Sequence, residues 1–359
     1  MSLTEINAKA AALKAAFQSA GAEALECDIL LSAETFLDLY GEDVRTRAYV
    51  SSDPARGEVM LRPDFTVPVV QKHMDEGAEP ARYTYSGPVF RRQEEHPERA
   101  SEYVQVGYEV FDREDPEAAD AEVFALFSET LAGYGLRAVT GDIGILTAAV
   151  QGLETSERRR AALMRHIWRP RRFRALLDRF SGRAPVPPSR AALLATTDPF
   201  AEAGPFNGMR SEAEIRARVD ALKADAKEAP LSKSQVELIE SVLKVSETCT
   251  FALEQLRDIA VDLPAMSDAV ERFARRSEAL AARGVDVDKL DFEANYGRTS
   301  MEYYDGFVFG LLSTQPGMPA VATGGRYDAL TRRLGRGREI PAVGGVVRPD
   351  LLFGLETRS

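Results

Sequence analysis

Two sets of polar residues stand in segments that are otherwise apolar, and their types suit contact with a small polar ligand. Gln105, Gly107 and Glu109 alternate along an apolar run, so a strand would place all three on one face. Asp64 and Thr66 lie two residues apart, directly after a proline that stiffens the turn. Burying such a polar row is costly unless something satisfies it, and a bound ligand is one such partner.

Each set also has a purely structural explanation. The row on the strand fits equally well the solvent-facing side of a half-exposed antiparallel strand. Asp64 and Thr66 are of the types that cap the helix predicted after Val67, and on spacing alone capping is the favoured interpretation. These residues by themselves therefore leave both explanations open.

The row lies on the second arm of a hairpin predicted over Tyr83–Asp112. Aromatic and β-branched residues recur at near period two on both arms. The connecting segment Arg91–Ser101 is rich in Arg and Glu and contains one proline. A charged loop on an apolar two-stranded base is well placed to present ionic groups to a small ligand.

Length and composition limit the class of protein. The chain has 359 residues, which suggests two domains, and a formal net charge of −11, so nothing global favours nucleic acid or anionic membrane. Cys27 and Cys249 lack metal-binding spacing and are interpreted as buried thiols of a reducing compartment. The three histidines are too scattered for a metal site. No apolar run approaches about 18 residues and no signal pattern opens the chain, so we expect a cytoplasmic protein.

Periodicity and breaker residues predict the elements that must position these side chains. Helical patterns occupy residues 4–19, 28–40, 116–134, 211–227, 234–259 and 265–283. Strand patterns occupy residues 45–52, 59–62, 137–145, 289–296 and 301–312, with short apolar segments near 324–328 and 344–351. The composition shift after residue 154 predicts a helical insertion at 155–262 within a core made of 1–154 and 263–359.

The insertion begins with the one basic block of an acidic chain, Ser156–Arg183. One interpretation is a surface for RNA or a partner protein. The other is an amphipathic helix whose arginines are solvated while Leu163, Ile167 and Trp168 face inward. The second interpretation is favoured, because no aromatic residues alternate with the arginines as base stacking would require.

Several motifs resemble, in order and spacing, those of the histidyl-tRNA synthetases and their non-synthetase relatives. They are LRPDFT at 61–66, GPVFRR at 87–92 with QVGYEVF at 105–111, MEYYDGFVF at 301–309, GGRYDAL at 324–330 and GGVVRPDLLFGLE at 344–356. The resemblance spans nearly the whole chain apart from the insertion. It implies an α+β fold with a class II aminoacyl-tRNA synthetase-like core, in which helices flank an antiparallel sheet.

The resemblance also implies a histidine pocket. In it, the ligand's α-amino group meets Asp64, Thr66 and Gln105, Glu109 accepts a hydrogen bond from the imidazole, and Tyr304 and Tyr327 close the ring site. The residue types suit the ligand, because an ammonium group and an imidazole N–H both need acceptors. On this evidence, ligand contact is favoured over a solvated strand face or a helix cap.

The nucleotide half of the family's site is altered in this sequence. Arg91 matches an arginine that contacts the α-phosphate, which makes it the remnant of a vestigial nucleotide site. At three further positions where the family has an arginine, this sequence has Ser101, Thr299 and Leu351. Arg298 is adjacent to one of them, but a shift of one residue along a strand turns a side chain to the other face. Loss of one phosphate-neutralising donor typically costs a factor of about 10²–10³ in rate, so three losses at one site argue against an adenylating enzyme. We therefore expect no catalytic residues, and we also expect no metal or cofactor.

A histidine pocket without ATP chemistry resembles the regulatory subunits of ATP phosphoribosyltransferase. That resemblance implies a homodimer formed through the segment around Asp28–Ser52, a hetero-oligomer with a short-form catalytic subunit, and L-histidine as feedback ligand. The chain ends directly after the last motif, so we expect no anticodon-binding domain. The alternatives are a histidine-activating enzyme with relocated arginines, an RNA sensor that uses residues 158–174, and a scaffold with a vestigial pocket.

Overall fold

The computed structural model describes residues 2–40, 48–93, 99–201, 204, 206, 208–298 and 303–356. These residues form a nine-stranded sheet, a separate three-stranded sheet and helices that cover the larger sheet or form a group of their own. The strands, in chain order, are β1 (Glu23–Ala24), β2 (Leu30–Ser32), β3 (Val50–Asp53), β4 (Gly57–Leu61), β5 (Ala81–Phe90), β6 (Glu102–Phe111), β7 (Arg137–Asp142), β8 (Ser246–Thr248), β9 (Asp291–Glu293), β10 (Phe307–Leu312), β11 (Ala322–Arg326) and β12 (Ala342–Val347).

The α-helices are numbered in the same way. They are α1 (Leu3–Ser19), α2 (Ala33–Tyr40), α3 (Thr66–Glu76), α4 (Pro116–Thr130), α5 (Ile143–Gln151), α6 (Glu157–Arg165), α7 (Pro170–Phe180), α8 (Pro188–Ala195), α9 (Glu212–Lys227), α10 (Lys233–Lys244), α11 (Cys249–Asp262), α12 (Ser267–Ala282), α13 (Asp328–Leu334) and α14 (Pro349–Glu356).

The large sheet is antiparallel at its centre, where the order is β5-β6-β12-β11-β10-β7. At one end β1 pairs in parallel with β5, and at the other β9 pairs in parallel with β7 and antiparallel with β8. The small sheet has the order β2-β4-β3. The predicted α+β class with a largely antiparallel sheet flanked by helices is confirmed.

The predicted hairpin is the longest pairing in the sheet, running from Ala81 opposite Phe111 to Phe90 opposite Glu102. Side chains alternate between the two faces of β6. Tyr108 faces α1, where its ring centroid lies 5.6 Å from that of Phe17. Phe17 in turn stacks on Phe127 of α4 at 5.1 Å. The odd-numbered residues of β6 therefore face away from these two helices, towards the turn that begins at residue 62.

Three of the differences between predicted and observed elements arise because sheet pairing or a cap overrides the helical or strand pattern. Residues 28–40 are not one helix, because Leu30–Ser32 pairs with β4 before α2 begins. The helix predicted at 234–259 is interrupted after Lys244, where β8 pairs with β9. The strand predicted at 137–145 ends at Asp142, whose carboxylate accepts from the backbone N–H of Gly144 at 2.8 Å and caps α5. In addition, the strand predicted at 301–312 begins only at Phe307, and that predicted at 289–296 is limited to Asp291–Glu293.

The basic segment forms the two helices α6 and α7, so the amphipathic interpretation is confirmed. Leu163, Ile167 and Phe173 are buried, and Trp168 is partly buried. Arg159 departs from that interpretation, because it is 5% exposed and forms an ion pair with Asp225 of α9. This pair lies inside the helical group, which comprises the helices of residues 155–262.

Free thiols and metal ligands are scattered in the described residues. Cys249 is buried as predicted, but Cys27 is only partly buried, and both are free. Burial raises the pKa of each thiol to about 11.

The described part of the chain holds no group of three His, Cys, Asp or Glu side chains arranged to bind a metal. Among the same residues, no helix combines the length and the apolar character needed to cross a membrane.

Candidate functional site

The site is centred on the carboxylate of Glu109, which is buried at 1% exposure. Its Oε1 accepts hydrogen bonds from the hydroxyls of Tyr85 at 2.7 Å and Thr66 at 3.2 Å. Its Oε2 accepts from the hydroxyl of Tyr327 at 2.6 Å. Three separate elements, β5, α3 and the segment after β11, thus converge on one carboxylate of β6. The interpretation of Glu109 as part of a solvent-facing row is wrong.

Burial dominates the electrostatics of this carboxyl group. Desolvation raises the pKa of Glu109 to about 7, although the hydrogen bonds from Tyr327, Tyr85 and Thr66 act to lower it. The negative charge of Asp64 adds to the increase. A carboxyl group near half-protonation at neutral pH can accept a hydrogen bond from a ligand N–H or exchange a proton with it.

Two further side chains of the polar set, Asp64 and Gln105, each have one buried oxygen atom without a donor. Asp64 is 6% exposed and its Oδ1 has no hydrogen-bond partner, and Gln105 is 2% exposed and its Oε1 has none. Burial raises the pKa of Asp64. Unsatisfied buried acceptors are costly, so a cationic donor that enters the site gains the hydrogen bonds that these groups lack.

Thr66 is the first residue of α3, and its side chain does not cap the helix. The N-cap residue is Phe65, and its side chain makes no capping hydrogen bond. Thr66 instead directs its hydroxyl to Glu109, and it also receives the hydroxyl of Tyr303 at 3.4 Å. The capping interpretation is therefore wrong for Thr66. It is not overturned for Asp64, because the backbone N–H groups of Thr66 and Val67, in the first turn of α3, act on the Asp64 carboxylate and lower its pKa against the larger effect of burial.

Tyrosine rings form the side of the site that faces β10 and β11. Tyr304 and Tyr327 are 4% and 1% exposed. The ring of Tyr303 lies edge-on to both, with centroids 4.8 Å from that of Tyr304 and 6.2 Å from that of Tyr327. Burial and the nearby Glu109 carboxylate raise the pKa values of both Tyr304 and Tyr327, so their hydroxyls remain protonated donors.

Glycines on the strands make room for these groups. Gly344 of β12 lies directly opposite Glu109, and a Cβ there would overlap the Glu109 Oε2 atom. Gly107, opposite Tyr85, has no space for a Cβ beside the Tyr85 ring. Gly325 lies under Tyr304, where a Cβ would approach the ring to 2.9 Å. The pocket thus depends on backbone positions without side chains.

Arg91 reaches the turn that carries Asp64. Its Nε donates to the carbonyl of Pro63 at 2.6 Å, and its Nη2 lies 3.9 Å from Asp64 Oδ2. Arg62, buried in the same turn, donates to the carbonyls of Pro88 at 2.8 Å and Cys27 at 2.6 Å. Both arginines hold the turn against the hairpin, which fixes the position of Asp64.

The arginine next to the altered family position is turned away from the pocket. Arg298 is 2% exposed, donates through Nε to the carbonyl of Ile167 at 2.8 Å and lies over the ring of Phe173 at 5.0 Å. Burial lowers its pKa to about 10. Its Nη1 donates to the side-chain oxygen of Asn295 at 2.7 Å, whereas its buried Nη2 has no hydrogen-bond partner. Thr299 and Ser300 lie outside the described residues.

The residues of the last motif, 344–356, also make contacts within the protein rather than leaving an arginine free at the family's position. Arg348 pairs with Asp350 at 2.7 Å and lies over the ring of Tyr103 at 3.9 Å. Leu351, which occupies the family's arginine position, is a partly buried residue of α14 that packs against the core. Ser101 is likewise partly buried, at the start of β6.

Of the six residues proposed from the sequence for histidine contact, Asp64, Thr66, Tyr304 and Tyr327 lie around Glu109. Gln105, the sixth, is buried on the same strand as Glu109. Sequence reasoning missed Tyr85, Tyr303 and Gly344. Tyr85 carried a detectable signal, because strand alternation in the hairpin pairs it with Gly107, between Gln105 and Glu109 on the opposite arm. Nothing local to Gly344 indicated that it faces Glu109 across the sheet.

Comparison with known proteins identifies a family to which this chain is similar. Residues 2–203 and 209–352 match the family model described as histidyl-tRNA synthetase. An ATP phosphoribosyltransferase regulatory subunit of Brucella anthropi is 31% identical over 95% of this chain and 95% of its own length. One of the same name from Mesorhizobium japonicum is 30% identical over 94% of this chain and 95% of its own.

Solved structures support the same fold. A Bacillus halodurans protein described as an ATP phosphoribosyltransferase regulatory subunit/histidyl-tRNA synthetase superposes with a TM-score of 0.69 at 20% identity, covering 98% of this chain and 79% of that one. A histidyl-tRNA synthetase from a Nostoc species gives a TM-score of 0.64 at 16% identity, covering 97% of this chain and 70% of the other. At these identities the likeness concerns the fold alone.

Proposed function

The chain belongs to the histidyl-tRNA synthetase-like family, and within it to the regulatory subunits of ATP phosphoribosyltransferase, and on this premise we propose how it regulates that enzyme in histidine biosynthesis. It catalyses no reaction itself. It assembles with a short-form catalytic subunit in the cytoplasm, is needed for that subunit's activity, and binds L-histidine as the feedback signal.

The observation that carries the proposal is the pairing of unsatisfied acceptors with a buried carboxyl group. Asp64 Oδ1 and Gln105 Oε1 offer the acceptors that an ammonium group requires. Glu109 offers the acceptor that an imidazole N–H requires, at a pKa of about 7, close to that of imidazole itself. A free amino acid with an imidazole side chain complements both ends of this site.

The nucleotide side supports a non-catalytic role. Arg298 and Arg348 are held by Ile167 and Asp350, respectively, and Arg91 is held in the turn at Pro63. Stabilisation of a phosphoryl-transfer transition state needs cationic donors aimed at the phosphates. Arginines held in these internal contacts favour the regulatory proposal over a histidine-activating enzyme.

Feedback also requires that histidine bind two states of the complex differently. Coupling of about 1–3 kcal/mol would be typical of allosteric regulation. The homodimer predicted through the segment around Asp28–Ser52 belongs to this proposal, and within that segment residues 41–47 lie outside the described part of the chain. The exposed large apolar residues Ile29, Leu30, Tyr49 and Val50 there suit an interface.

The experiment that tests the ligand is a calorimetric titration of the purified chain with L-histidine, with and without ATP. We expect saturable binding that ATP neither requires nor strengthens. A parallel assay of histidine-dependent ATP–pyrophosphate exchange should show none. Measurable exchange would establish the histidine-activating alternative instead.

The regulatory role is tested by mixing the chain with a short-form catalytic subunit from the same source. We expect phosphoribosyl transfer to rise on mixing and to fall again when histidine is added. If the catalytic subunit were equally active alone, the requirement for this chain would be refuted. If activity rose but histidine had no effect, the feedback part alone would fail.

A further inference from the structure

An unusual concentration of positive charge lies within the helical group, far in sequence from the histidine pocket. Guanidinium groups of three helices converge on Asp225, whose residue is 5% exposed. Arg159 Nε lies 2.8 Å from Oδ1, while Arg179 Nη2 and Arg190 Nη2 lie 2.6 and 2.9 Å from Oδ2. Arg158 Nη2 approaches Oδ1 at 3.5 Å.

The cluster carries more positive than negative charge. Besides Asp225, its arginines pair with Glu228, which lies 3.5 Å from Arg159. Glu228 also accepts from the hydroxyls of Thr155 and Ser156, both at 2.8 Å. Four guanidinium groups against two carboxylates leave a formal charge of +2, in a chain whose net charge is −11. Hydrogen bonds from Arg159 and Arg179 outweigh burial and lower the pKa of Asp225 to about 2. Hydrogen bonds from Ser156 and Thr155 likewise outweigh burial and lower the pKa of Glu228, so both carboxylates are ionised at neutral pH.

One donor in the cluster lacks an acceptor. The Nε atom of Arg179 is shielded from solvent and makes no hydrogen bond, although its Nη2 is bonded to Asp225. The guanidinium side chain as a whole is 37% exposed. An arginine bound through only one edge of its fork has its second edge available for an oxyanion.

A cavity of about 680 Å³ opens directly beside these arginines. Its charged end is formed by Arg159, Arg179 and Arg190 together with their carboxylate partners Asp225 and Glu228. The remaining wall is mostly apolar, with Phe180, Pro185, Val186, Pro187 and Leu194. The volume lies within the range of small-molecule sites, about 300–1,000 Å³, and the combination of apolar walls with a few convergent polar groups is typical of them.

We propose that this cavity is a second ligand site, which binds a small phosphate monoester with its phosphate on Arg179 and Arg190 and its organic part against the apolar wall. A phosphate monoester carries a charge of about −1.5 to −2 at neutral pH, which matches the excess charge of the cluster. A carboxylate carries half of that charge and has one oxygen fewer to accept from the arginine forks. The site is independent of the histidine pocket and of its proposed function.

The test is a calorimetric titration of the full chain with phenyl phosphate at constant ionic strength, compared with inorganic phosphate and benzoate. We expect saturable binding of phenyl phosphate, at least about tenfold tighter than that of either comparison compound. Equal binding of inorganic phosphate would overturn the role of the apolar wall, and equal binding of benzoate would overturn the preference for phosphate. Absence of saturable phenyl phosphate binding would overturn the site.

Variants locate the binding. Arg190→Gln should weaken phenyl phosphate at least about tenfold, whereas Arg171→Gln, an exposed arginine of α7, should leave it unchanged. Val186 is 58% exposed, so Val186→Asp can add a repelling charge at the cavity without disturbing the core, with Val186→Asn as the uncharged control. If Arg190→Gln fails to fold, the difference between the two Val186 variants decides. Equal affinity in Val186→Asp and Val186→Asn would place the ligand elsewhere and refute the proposal.

Discussion

The indole Nε1–H of Trp168 donates to the backbone carbonyl of Tyr304 at 3.2 Å. A residue of the helical group is thereby bonded to the segment that carries a wall of the proposed histidine pocket. Arg298 makes a second link in the same place, because its Nε donates to the carbonyl of Ile167. The two bonds join Ile167 and Trp168, adjacent residues of the turn between α6 and α7, to Arg298 and Tyr304. A ligand that moves Tyr304 therefore also acts on this turn.

Tryptophan fluorescence should therefore report on histidine. The chain contains a single tryptophan, so any change in this signal comes from Trp168. We expect L-histidine to change the emission of the chain in a saturable way, with a midpoint equal to the calorimetric dissociation constant. The measurement is a fluorescence titration of the purified chain.

Trp168→Phe is the control for this titration, because it removes the fluorophore and the hydrogen bond to Tyr304 while keeping an aromatic ring. We expect it to lose the signal and still bind histidine by calorimetry. Histidine binding without any fluorescence change in the unaltered chain would show that Tyr304 does not move when the pocket fills.

Glu109→Ala should weaken histidine binding by roughly 2–5 kcal/mol, because it removes a buried acceptor that the imidazole N–H would use. Calorimetry with L-histidine measures the loss. Glu237→Gln changes an exposed glutamate of α10 and serves as the control, with unchanged affinity expected. Unchanged affinity in Glu109→Ala would mean that histidine binds elsewhere or that the pocket is vestigial.

The stability of the protein should depend on pH through Glu109. Its pKa is raised from 4.5 to about 7 on folding, so the folded state holds this proton more tightly than the unfolded state does. The free energy of unfolding therefore falls as the pH rises from about 4.5 to about 7, by about 3 kcal/mol from this group. Chemical denaturation at a series of pH values measures the slope.

Glu109→Gln isolates this contribution, because it removes the titration and keeps a side chain of similar size. Asp305, whose pKa burial also raises to about 7, titrates in both proteins and cancels in the comparison. We expect the variant to lose less stability than the parent protein between pH 5 and pH 8. Parallel curves for the two proteins would show that Glu109 does not titrate in this range.

The large elements and the pocket residues could be predicted from the sequence, because strand alternation places Gln105 and Glu109 on one face and the motifs fix the rest. Burial could not be predicted. The same alternation fits a solvated face, and only the approach of α3 and the segment after β11 encloses Glu109. The end of the helix α10 at Lys244 could not be predicted either. The strand β8 that follows it forms only by pairing with β9, which lies some forty residues later in the chain.

The glycines of the pocket show the same limit. In the sequence, the pair Gly324-Gly325 before Arg326 fits either a tight turn or a close approach to a ligand. The structure instead places Gly325 within β11 under the ring of Tyr304. Such a requirement follows from the neighbouring strand and from a ring that belongs to another segment, so a local pattern does not contain it.

Gly344→Ala should disrupt the pocket from the opposite strand. Its Cβ would overlap the Glu109 carboxylate, which is fixed by hydroxyls from Tyr85, Tyr327 and Thr66 and has no free direction in which to move. Overpacking of this kind typically costs about 1–3 kcal/mol of stability, and here it should also remove histidine binding. Gly133→Ala, where a Cβ meets open space, is the matched control and should change neither. Denaturation and histidine titration measure both effects, and a Gly344→Ala protein that bound histidine normally would show that the ligand does not depend on the position of Glu109.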